Sequence, residues 1–594
     1  MPELQGRMAG PDLFMIAGYF VLMLGIGVYF YGRMKHIKDY FSGGNTIPWW
    51  LSGVSFYMGS FSVAAFVFYP GLCYRYGWVG VTLLWVAVPA TMFSAGLFAV
   101  KWRRARVDSP VEYIEGRYSP LLRQLFAWQG VPVRLVDDGI KLLATGTFIS
   151  VCAGLDIKVS IIGAGICILL YTFMGGLWAV AVTDFVQFVV LMAGILIILP
   201  LSITKAGGLG AIFSGVPDGF FRLTSAEFGW SYVIPLVGLY ALTWSSTMWS
   251  LIQKYYCVPK ERDALKVGGL VIALYIFGPP LMFFPAIAAT QFLPGVEDAG
   301  QIYPLLCTQL LPAGMLGLAV AAMFAATMST LSGDYNVCAS VLTNDIYKRL
   351  ARPHAGHREL VFAGRLMTLL IGVAALAVAM LMSRGKSEDL FRTMVTLFGI
   401  ASAPVAVPML LGLISRRATN AGAIAGFICG IVVGLGLYKL SRLDSFQSGA
   451  LAWDAKAEEL SLFGLTLKME IVMFLSTAGV TFLVMEAVGP LFPASSAARE
   501  RVDRFMERLE APIGTRDEDF RTASAAYSPF RIVGVTVALV GVLLLAVAPW
   551  VGGGQVLVLD VIIGGFLILI GSAMAGFSGK EIRKPAVVQE INRS

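Results

Sequence analysis

Long apolar stretches separated by short polar segments recur along almost the whole chain. Most of them reach the roughly 20 residues that a helix needs to cross the hydrocarbon core of a bilayer. The pattern therefore predicts an all-α polytopic membrane protein with about 15 transmembrane helices. The predicted spans begin near Leu13, Pro48, Trp78, Val131, Ile157, Asp184, Tyr232, Val267, Gly314, Leu360, Thr393, Ala421, Lys468, Ile532 and Val556.

Lysine and arginine are concentrated in some of the polar segments and scarce in others, and this distribution predicts the orientation of the chain. Segments rich in these residues follow the first, third, seventh, ninth, eleventh and thirteenth predicted spans, and most of the segments between them are poorer in both. The basic segments contain Arg33, Lys35 and Lys38; Lys101, Arg103, Arg104, Arg106, Arg117 and Arg123; Lys260 and Arg262; Lys348, Arg349, Arg352 and Arg358; Arg416 and Arg417; and the arginines from Arg499 to Arg521. Basic loops stay in the cytoplasm, so we expect the N-terminus outside and the C-terminus, with Lys580, Arg583 and Lys584, inside.

The composition supports a membrane protein and argues against several other classes. Hydrophobic residues make up 57% of the 594 residues and charged residues only 14%, whereas an average soluble protein has about 25% charged residues. The net charge of +8 comes from the predicted cytoplasmic loops, so it indicates the lipid bilayer as partner rather than nucleic acid. No cysteine pair, histidine cluster or nucleophile motif stands in a context typical of an enzyme or a metal site, and we expect no enzymatic activity.

Two predicted spans are interrupted near their middle by small polar residues. One reads WWLSGVSFYMGSFSVAAFVFYPG, with Gly59 and Ser60 at its centre, and the other reads VIPLVGLYALTWSSTMWSLIQKYY, with two serines and a threonine at 245–247. They are the first spans of two successive groups of five. Broken helices at matching positions of two repeats are typical of a transporter with its binding site at the midplane. For either span alone, packing of small residues against a neighbouring helix is the alternative.

The stretch AATMSTLSGDYN, residues 325–336, places hydroxyl groups inside another apolar region. On a helix, Ala326, Ser329 and Thr330 share one face, because the second and third follow the first by three and four residues. Two hydroxyls and a nearby carbonyl are oxygen ligands of the kind that hard cations prefer. Hydroxyls that bond back to the preceding turn of the helix are the alternative, and the spacing alone favours it.

Several motifs in the same order resemble those of one family. The segment LLYTFMGGLWAVAVTDFVQFVVLMAG, residues 169–194, is similar to the signature of the sodium/solute symporter family, which contains the sodium/glucose and sodium/proline symporters. The segments PVEYIEGRYS, LIQKYYCVPKERDA and MFAATMSTLSGDYNVCASVLTNDIYKRL resemble further segments of that family. The likeness extends from about Asp12 to Leu440. It implies a LeuT-type fold with two inverted five-helix repeats.

The resemblance also implies where sodium binds. The main sodium site of the family lies between its first and eighth core helices. In this chain the site would use the backbone carbonyls of Met58, Phe61 and Ala326. The hydroxyls of Ser329 and Thr330 would complete it, and they lie on the helix face that the spacing singles out.

Some members of the family bind a second sodium ion. They use an aspartate at the position of Asp184, together with hydroxyls on the eighth helix, where Ser332 matches the pattern. Gly333 stands where another serine is expected. The resemblance therefore leaves the second sodium site open.

The resemblance says less about the solute. Sugar-transporting members carry a glutamine where this chain has Ala65 and an asparagine where it has Ala241, so a simple sugar is disfavoured but not excluded. Trp244 corresponds to an aromatic residue that closes the pocket from inside, and Ser245 follows it at the interruption of the helix. Packing of Trp244 against a neighbouring helix is the alternative.

The third core helix, VPVRLVDDGIKLLATGTFIS, carries ionisable residues at or within its apolar part. An ionised side chain at the centre of a membrane helix costs roughly 2.5–3.5 kcal/mol, so such residues are expected to be paired or functional. Asp137 and Lys141 are four residues apart and can neutralise each other. Alternatively, Lys141 or Asp138 faces the cavity and meets a polar or charged solute, such as a carboxylate. Asp334 would either help to hold a cation or pair with Lys141 from another helix.

These predictions divide the chain into six parts. They are an N-terminal accessory helix and cytoplasmic loop (1–47), a first five-helix repeat (48–203), a second, inverted repeat (230–415), two accessory helices (416–490), a charged cytoplasmic linker (491–529) and a C-terminal helix pair with its tail (530–594). The segment SPVEYIEGRYSPLLRQLFAW is expected to form an amphipathic helix on the cytoplasmic membrane face. The segment ARERVDRFMERLEA is expected to form a solvated helix.

The combined prediction is a sodium-coupled secondary transporter that imports a small organic solute by alternating access across the plasma or inner membrane. A proton-coupled carrier is one alternative, which the membrane aspartates permit, although the hydroxyl site suits a metal cation better. A solute sensor that retains the transporter fold is the other alternative, and the lack of a fused signalling segment argues against it.

Overall fold

The protein is built almost entirely of helices in its structure, a computed structural model. The structure describes residues 8–31, 45–60, 62–107, 110–174, 177–383, 389–448, 451–455, 458–462, 465–513, 529–550 and 554–577. The helices of the first part are α1 (Gly10–Tyr31), α2 (Trp49–Gly59), α3 (Val63–Tyr76), α4 (Val79–Trp85), α5 (Ala87–Ser94), α6 (Val100–Ala105), α7 (Glu112–Arg117), α8 (Pro120–Ala153), α9 (Ile157–Met174), α10 (Leu177–Lys205) and α11 (Leu209–Ser214).

The second part of the chain begins with another interrupted helix. Its helices are α12 (Trp230–Ser245), α13 (Trp249–Tyr256), α14 (Glu261–Ala289), α15 (Ile302–Leu310), α16 (Met315–Val341), α17 (His357–Met382), α18 (Asp389–Ala401), α19 (Ala403–Ile414), α20 (Asn420–Leu440), α21 (Met469–Leu491), α22 (Ser496–Glu510), α23 (Pro529–Val547) and α24 (Gln555–Phe577). Stretches of π-helix occur at Ala95–Ala99 and Leu342–Ala351, and single turns of 3-10 helix occur at Ala299–Gln301 and Ala548–Trp550.

Ten of the described helices are long and apolar enough to cross a membrane. The number rises to 13 when each of three pairs of helices joined at a sharp bend counts as one span. Every predicted span begins inside a helix or directly before one. The count of 15 stays a prediction, because several of the predicted spans consist of shorter helices separated by a break.

α2 and α3 form one of the bent pairs, with an angle of 62° between them. α2 ends at Gly59, where the Ser60 hydroxyl donates a hydrogen bond to the carbonyl of Tyr57 at 2.6 Å. α3 begins after Ser62, whose hydroxyl accepts a hydrogen bond from the amide of Ala64 at 3.2 Å. The break thus leaves carbonyls in the last turn of α2 without partners inside the helix.

α12 and α13 are separated by the second interruption. Ser246 has φ −142° and ψ −61°, outside the helical region. The amides of Thr247 and Met248 both bond back to the carbonyl of Thr243, at 2.9 and 2.8 Å. Trp249 then starts α13. Both breaks that the small polar residues predict are therefore present.

α16 lies at the centre of the bundle. The whole of its most apolar window is buried, and it contacts α1, α2, α8, α10 and α17. At its N-terminal end the Asp12 carboxylate of α1 accepts hydrogen bonds from the amides of Gly314 and Gly317, at 2.6 and 2.7 Å. A carboxylate at this position is stabilised by the positive end of the helix dipole. The accessory helix α1 is thus attached to the helix that carries the predicted cation ligands.

α22 packs against the first group of helices with one of its faces. Phe505 stacks on Tyr113, with ring centroids 5.8 Å apart, and Leu509 is buried. The Arg104 guanidinium binds both carboxylate oxygens of Glu261, at 2.9 and 2.8 Å, and reaches the last turn of α22. The prediction of a helix solvated all round is therefore wrong for one face. The segment SPVEYIEGRYSPLLRQLFAW, which is predicted to form an amphipathic helix, forms α7 and the start of α8.

Four short strands between α20 and α21 form an antiparallel sheet in the order β1-β2-β3-β4. They are β1 (Phe446–Ser448), β2 (Leu451–Asp454), β3 (Glu459–Leu462) and β4 (Leu465–Lys468). Trp453 pairs with Leu460, and both pack against Met469 and Met473 at the start of α21. This small sheet is an addition to the predicted all-α architecture, in which helices predominate. Runs of three or four residues are too short for their alternation to identify a strand.

α23 and α24 pack closely as an antiparallel pair at the edge of the bundle. A Cβ atom added at Gly541 would lie 2.6 Å from the carbonyl oxygen of Gly564 on the opposite helix. Small residues allow such a close approach of two membrane helices. The main contacts of the pair with the rest of the protein are with α1 and α10, and Phe530 of α23 also packs on Trp50 of α2.

Candidate functional site

The carbonyl end of α2 meets α16 at the residues predicted to bind a cation. The Thr330 hydroxyl lies 3.3 Å from the carbonyl oxygen of Met58 and 3.1 Å from that of Ala326, and it can donate to either. Met58, Ala326, Ser329 and Thr330 are all buried. The structure therefore brings these four residues together. Phe61, the remaining predicted ligand, lies outside the described residues.

The Ser329 hydroxyl differs from the Thr330 hydroxyl in its hydrogen bonding. It is buried and makes no hydrogen bond of normal geometry within the described part of the chain, although it lies near the Asp184 carboxylate. The alternative that the hydroxyls bond back to the preceding turn holds for Thr330, which reaches Ala326. It does not hold for Ser329.

A second pair of hydroxyls connects α16 to the start of α3. The amide of Val63 donates to the Thr327 hydroxyl at 3.2 Å. Thr327 also shares a hydrogen bond of 2.8 Å with Thr145 of α8. α16 thus contacts both halves of the first broken helix, and the contact at each half includes a hydroxyl.

Asp184, which the resemblance gives as a ligand of a possible second sodium ion, lies near Ser329 of this site. The Ser55 hydroxyl donates to one of its carboxylate oxygens, and the other oxygen has no hydrogen-bond partner among the residues described. The buried Lys254 acts on this carboxylate through its charge. The Ser332 hydroxyl donates to the carbonyl of Ser329 at 3.2 Å. Ser332 therefore uses its hydroxyl within α16.

A cavity of about 60 Å³ lies between the two broken helices and α8. A space of this size holds a few water molecules, so a larger solute enters only when the surrounding helices move apart. Its aromatic lining consists of Phe68, Tyr69, Tyr240, Trp244 and Phe398. Its polar and charged lining consists of Ser60, Ser62, Thr243, Thr330, Asp137 and Lys141.

The predicted solute residues divide into two groups. Those in the cavity wall are Ala65, Trp244 and Lys141. Those that are buried elsewhere are Ser245, Asp138 and Asp334. The Trp244 ring also packs on Tyr240 and Tyr275, with centroids 5.4 and 5.5 Å apart. Trp244 therefore lines the cavity and also packs against neighbouring rings. The two alternatives for this residue occur together.

Lys141 is the centre of a buried charge cluster. Its Nζ lies 2.8 Å from Asp137, 3.3 Å from Asp138 and 2.7 Å from Asp334. Both predicted pairings, along α8 and across to α16, are thus present together. The Ser250 hydroxyl of α13 donates to the second oxygen of Asp334 at 2.8 Å. Since three carboxylates surround Lys141, it is not available to a carboxylate solute.

Arg134 belongs to the same cluster and was not among the predicted residues. It is buried, lies 3.4 Å from Asp137 and donates to the carbonyl of Thr247 at the break before α13. Its spacing of three and seven residues from Asp137 and Lys141 puts all three on one helix face. That spacing is the signal that could have identified it.

Comparisons with known proteins agree with this geometry. A model of the sodium:solute symporter family matches residues 40–217 and 267–430. The sodium/sialic acid symporter SiaT of Proteus mirabilis is 28% identical over 455 residues, which cover 73% of this chain and 90% of the relative. The sodium/glucose cotransporter of Vibrio parahaemolyticus is 26% identical over 469 residues, with 73% and 86% covered.

A solved structure supports the same fold. It is the substrate-bound, outward-open state of a Na⁺-coupled sialic acid symporter, and it superposes with a TM-score of 0.71 at 22% identity. The superposition covers 82% of this chain and 99% of the other. The two proteins therefore share one fold.

Proposed function

This chain belongs to the sodium:solute symporter family, and from that premise we propose which of its residues bind the ion and the solute. The protein imports a small organic solute together with sodium across the plasma or inner membrane. We assign the sodium ion to the carbonyls of Met58 and Ala326 and the hydroxyls of Ser329 and Thr330. Phe61 is proposed as a further carbonyl ligand. The solute is assigned to the adjoining cavity.

The buried Ser329 hydroxyl is the observation that supports this assignment most. A buried polar group without a partner is rare, and Ser329 lies on the α16 face that contacts the carbonyl end of α2. Unwound carbonyls and the C-terminal ends of half-helices are the groups that hold cations in transporters with broken helices. A sodium ion bound there would satisfy the Ser329 hydroxyl and the end of α2 at once.

The position of this site explains how sodium can drive transport. A bound ion would join α2 to α16 and would thereby fix the broken helix that lines the solute cavity. If sodium raises the affinity for solute, solute raises the affinity for sodium by the same factor. One positive charge that moves inward gains about 2.3 kcal/mol per 100 mV of membrane potential. Alternating access would convert this gain into uptake of solute.

The proposal includes the finer architecture. α8 and α9 are bent by 118°, which suits two separate spans better than one. α12 and α13 would together form the broken span that corresponds to α2 and α3 in an inverted repeat. With α1, α20, α21, α23 and α24 as accessory spans, the proposed total is 15, with the N-terminus outside and the C-terminus inside. The distribution of lysine and arginine supports this orientation.

We propose one sodium ion with Asp184 beside it, rather than two separate sodium sites. Asp184 has one carboxylate oxygen without a partner in the described residues and lies near Ser329. Ser332 uses its hydroxyl within α16, and Lys254 already supplies a positive charge to Asp184. We therefore assign Asp184 the role of adding negative charge beside one sodium ion. Asp184→Asn should weaken sodium binding without changing the number of ions bound.

Thermal stability of the purified protein in sodium, compared with potassium and choline, tests the ion site. A ligand at 100 times its dissociation constant adds about 2.7 kcal/mol to the free energy of unfolding, so sodium should raise Tm measurably. The double variant Ser329→Ala/Thr330→Ala should lose this increase. Thr368→Ala is the matched control, because Thr368 is a buried threonine that bonds back to Gly364 of its own helix.

The outcomes separate the alternatives. A sodium-specific increase that the Thr368→Ala variant keeps and the double variant loses supports the assignment. An equal response to sodium and potassium in the native protein contradicts it, and uptake driven by a pH gradient would then be measured. A double variant that still responds to sodium would place the ion elsewhere.

The solute is proposed to be a small polar molecule that stacks against the aromatic wall. Relatives of this chain are named for sialic acid and glucose, and both compounds are rich in hydroxyl groups. The hydroxyls of Ser60, Ser62 and Thr243 would contact such a solute. Both compounds are therefore the first to test for a further increase of Tm in sodium. Uptake of the labelled solute into proteoliposomes, rather than binding alone, distinguishes a transporter from a sensor.

A further inference from the structure

Five ionisable side chains lie together inside the membrane part of the protein. Arg134, Asp137, Asp138 and Lys141 are on α8, and Asp334 is on α16; none has more than 7% of its surface exposed. Three of them are acids and two are bases. With every group ionised the cluster would carry one uncompensated negative charge, in surroundings where a buried unpaired charge costs several kcal/mol.

Lys141 already occupies the position that a bound cation would take. Its Nζ contacts one oxygen from each of Asp137, Asp138 and Asp334, at 2.8, 3.3 and 2.7 Å. One carboxylate oxygen from each of these three residues lies within 4.8 Å of the corresponding oxygens of the other two. A metal ion would need the same oxygens and would be repelled by the ammonium group. The uncompensated negative charge of the cluster is therefore not balanced by a metal ion.

The three carboxylates differ in how well they are satisfied. Asp334 receives a hydrogen bond on each oxygen, from Ser250 and from Lys141. Asp137 is contacted by both Lys141 and Arg134. Asp138 has only the longest contact with Lys141, and its Oδ2 has no hydrogen-bond partner among the described residues. Asp138 is therefore the carboxylate least able to keep a negative charge.

The surroundings of Asp138 offer it little compensation. On its own helix it faces Lys141, Asp137 and Arg134. From α16 it meets Asp334 and lies near Tyr335 and Cys338, which bring no positive charge. From α17 the residues that meet the neighbouring Gly139 are Val378 and Ala379, both apolar. Asp138 is fully buried and does not line the solute cavity, so a solute cannot neutralise it.

We propose that Asp138 binds a proton, and that this proton makes the Arg134–Asp137–Asp138–Lys141–Asp334 cluster electrically neutral. A neutral carboxylic acid costs far less to bury than a carboxylate. Two acids and two bases then remain ionised. The proton site is distinct from the sodium site, since none of the proposed sodium ligands belongs to the cluster.

The cluster also joins the second broken helix to α8 and α16. Ser250 of α13 donates to Asp334, and Arg134 donates to the carbonyl of Thr247 at the break itself. Loss of the proton from Asp138 would change the charge balance that holds both contacts. If the proposed sodium cycle is correct, movement of α13 during transport and the proton on Asp138 are therefore coupled.

Single substitutions by asparagine test the assignment, because asparagine resembles a neutral carboxylic acid. Asp138→Asn should leave Tm within about a degree of the native value. Asp334→Asn removes a charge that the proposal requires and should lower Tm by several degrees, as should Asp137→Asn. If Asp138 were ionised instead, Asp138→Asn and Asp334→Asn would change the net charge alike, and their Tm values would shift in parallel.

Infrared spectroscopy detects the proton directly. The native protein at neutral pH should show the carbonyl stretch of a protonated carboxylic acid, which disappears in Asp138→Asn and persists in Asp137→Asn. Raising the pH until the proton leaves should remove the band and lower the Tm of the native protein. The Tm of Asp138→Asn should not show this alkaline loss. A native spectrum identical to that of Asp138→Asn at every pH overturns the proposal.

The coupling to transport has a separate readout. The sodium-dependent increase of Tm should vary with pH in the native protein and be independent of pH in Asp138→Asn. If sodium has no effect at any pH, the proposed sodium site fails while the infrared result on Asp138 still stands. If the effect of sodium varies equally with pH in both proteins, the proton on Asp138 is not coupled to the ion site.

Discussion

At the scale of single residues, the buried Asp12 carboxylate connects two helices that are far apart in the chain. It bonds to two amides at the N-terminal end of α16, more than 300 positions away in the chain. Hydrogen bonds to charged groups contribute about 1.5–3 kcal/mol, so we expect Asp12→Asn to lower the free energy of unfolding by an amount in this range. Denaturation of the purified protein measures it. Asp444→Asn, at an exposed position, is the control, and equal effects of both changes would contradict the role of Asp12.

Glu115 gives a prediction for the dependence of stability on pH. It lies outside the candidate spans, between Arg349 and Arg123, and its hydrogen bonds to Arg349 hold its pKa below the ordinary value of 4.5 against the opposing effect of desolvation. Because the pKa is lower in the folded state, Glu115 stabilises the protein above its unfolded-state pKa. That stabilisation is lost as the pH falls through the folded-state pKa.

Glu115→Gln should therefore lower Tm at neutral pH and reduce the loss of Tm on acidification. The measurement is Tm against pH for both proteins. Glu500→Gln, on the exposed face of α22, is the matched control and should follow the native curve. Parallel native and Glu115→Gln curves would show that the two arginines do not stabilise the carboxylate.

Residue-scale chemistry was predictable where it depends on local spacing. Ser329, Thr330 and Ala326 share a helix face, and Asp137 and Lys141 are one turn apart; both arrangements are present. Contacts made across the chain were not predictable. The amides that bind Asp12, and the carbonyl of Thr247 that binds Arg134, depend on how separate helices meet.

At the scale of elements, the α23–α24 pair depends on glycine. A Cβ at Gly541 would lie 2.6 Å from the backbone of α24, whereas a Cβ at Gly565 would meet nothing within 4 Å. Gly541→Leu should force the two helices apart and cost about 1–3 kcal/mol, as other overpacked substitutions do. Distances between spin labels on α23 and α24 measure the separation. Gly565→Leu makes the same change in open space, and a similar widening in this control would refute the packing argument.

Breaks within elements were easier to predict than contacts between elements. Residues 59–60 and 245–247 combine small side chains with hydroxyls that bind nearby backbone groups, and both helices end there. α22 was expected to be solvated, because its charges alternate in sign. Its apolar residues Phe505, Met506 and Leu509 are few, and only the position of α7 shows that they are covered.

At the scale of the whole molecule, the proposed orientation is open to a direct test. A cysteine at Asp156, in the turn between α8 and α9, should react from outside with a thiol reagent that does not cross membranes. A cysteine at Arg417, between α19 and α20, should react only after the vesicle is opened. Both positions are exposed, and the seven native cysteines are buried or half-buried. Reaction of both cysteines from the same side would refute an odd number of spans between them.

The fold of the whole molecule was predictable for a different reason from its solute. Apolar length and loop charge are repeated in every span, so an error in one helix does not change the class of protein. The solute depends on a single cavity, whose wall combines residues from the two broken helices with α8 and α18. The sequence predicts Ala65, Trp244 and Lys141 as members of that wall, but it cannot show that Lys141 is already surrounded by carboxylates.

The fluorescence of Trp244 can report the binding of solute. Its indole ring forms part of the cavity wall and touches two tyrosine rings, so any solute that enters would change the polarity around one defined fluorophore. The chain has 12 tryptophans, and a comparison of the native protein with Trp244→Phe isolates the signal of this one. A panel of unlabelled compounds can then be screened by emission alone, in sodium and in potassium, before any compound has been made radioactive.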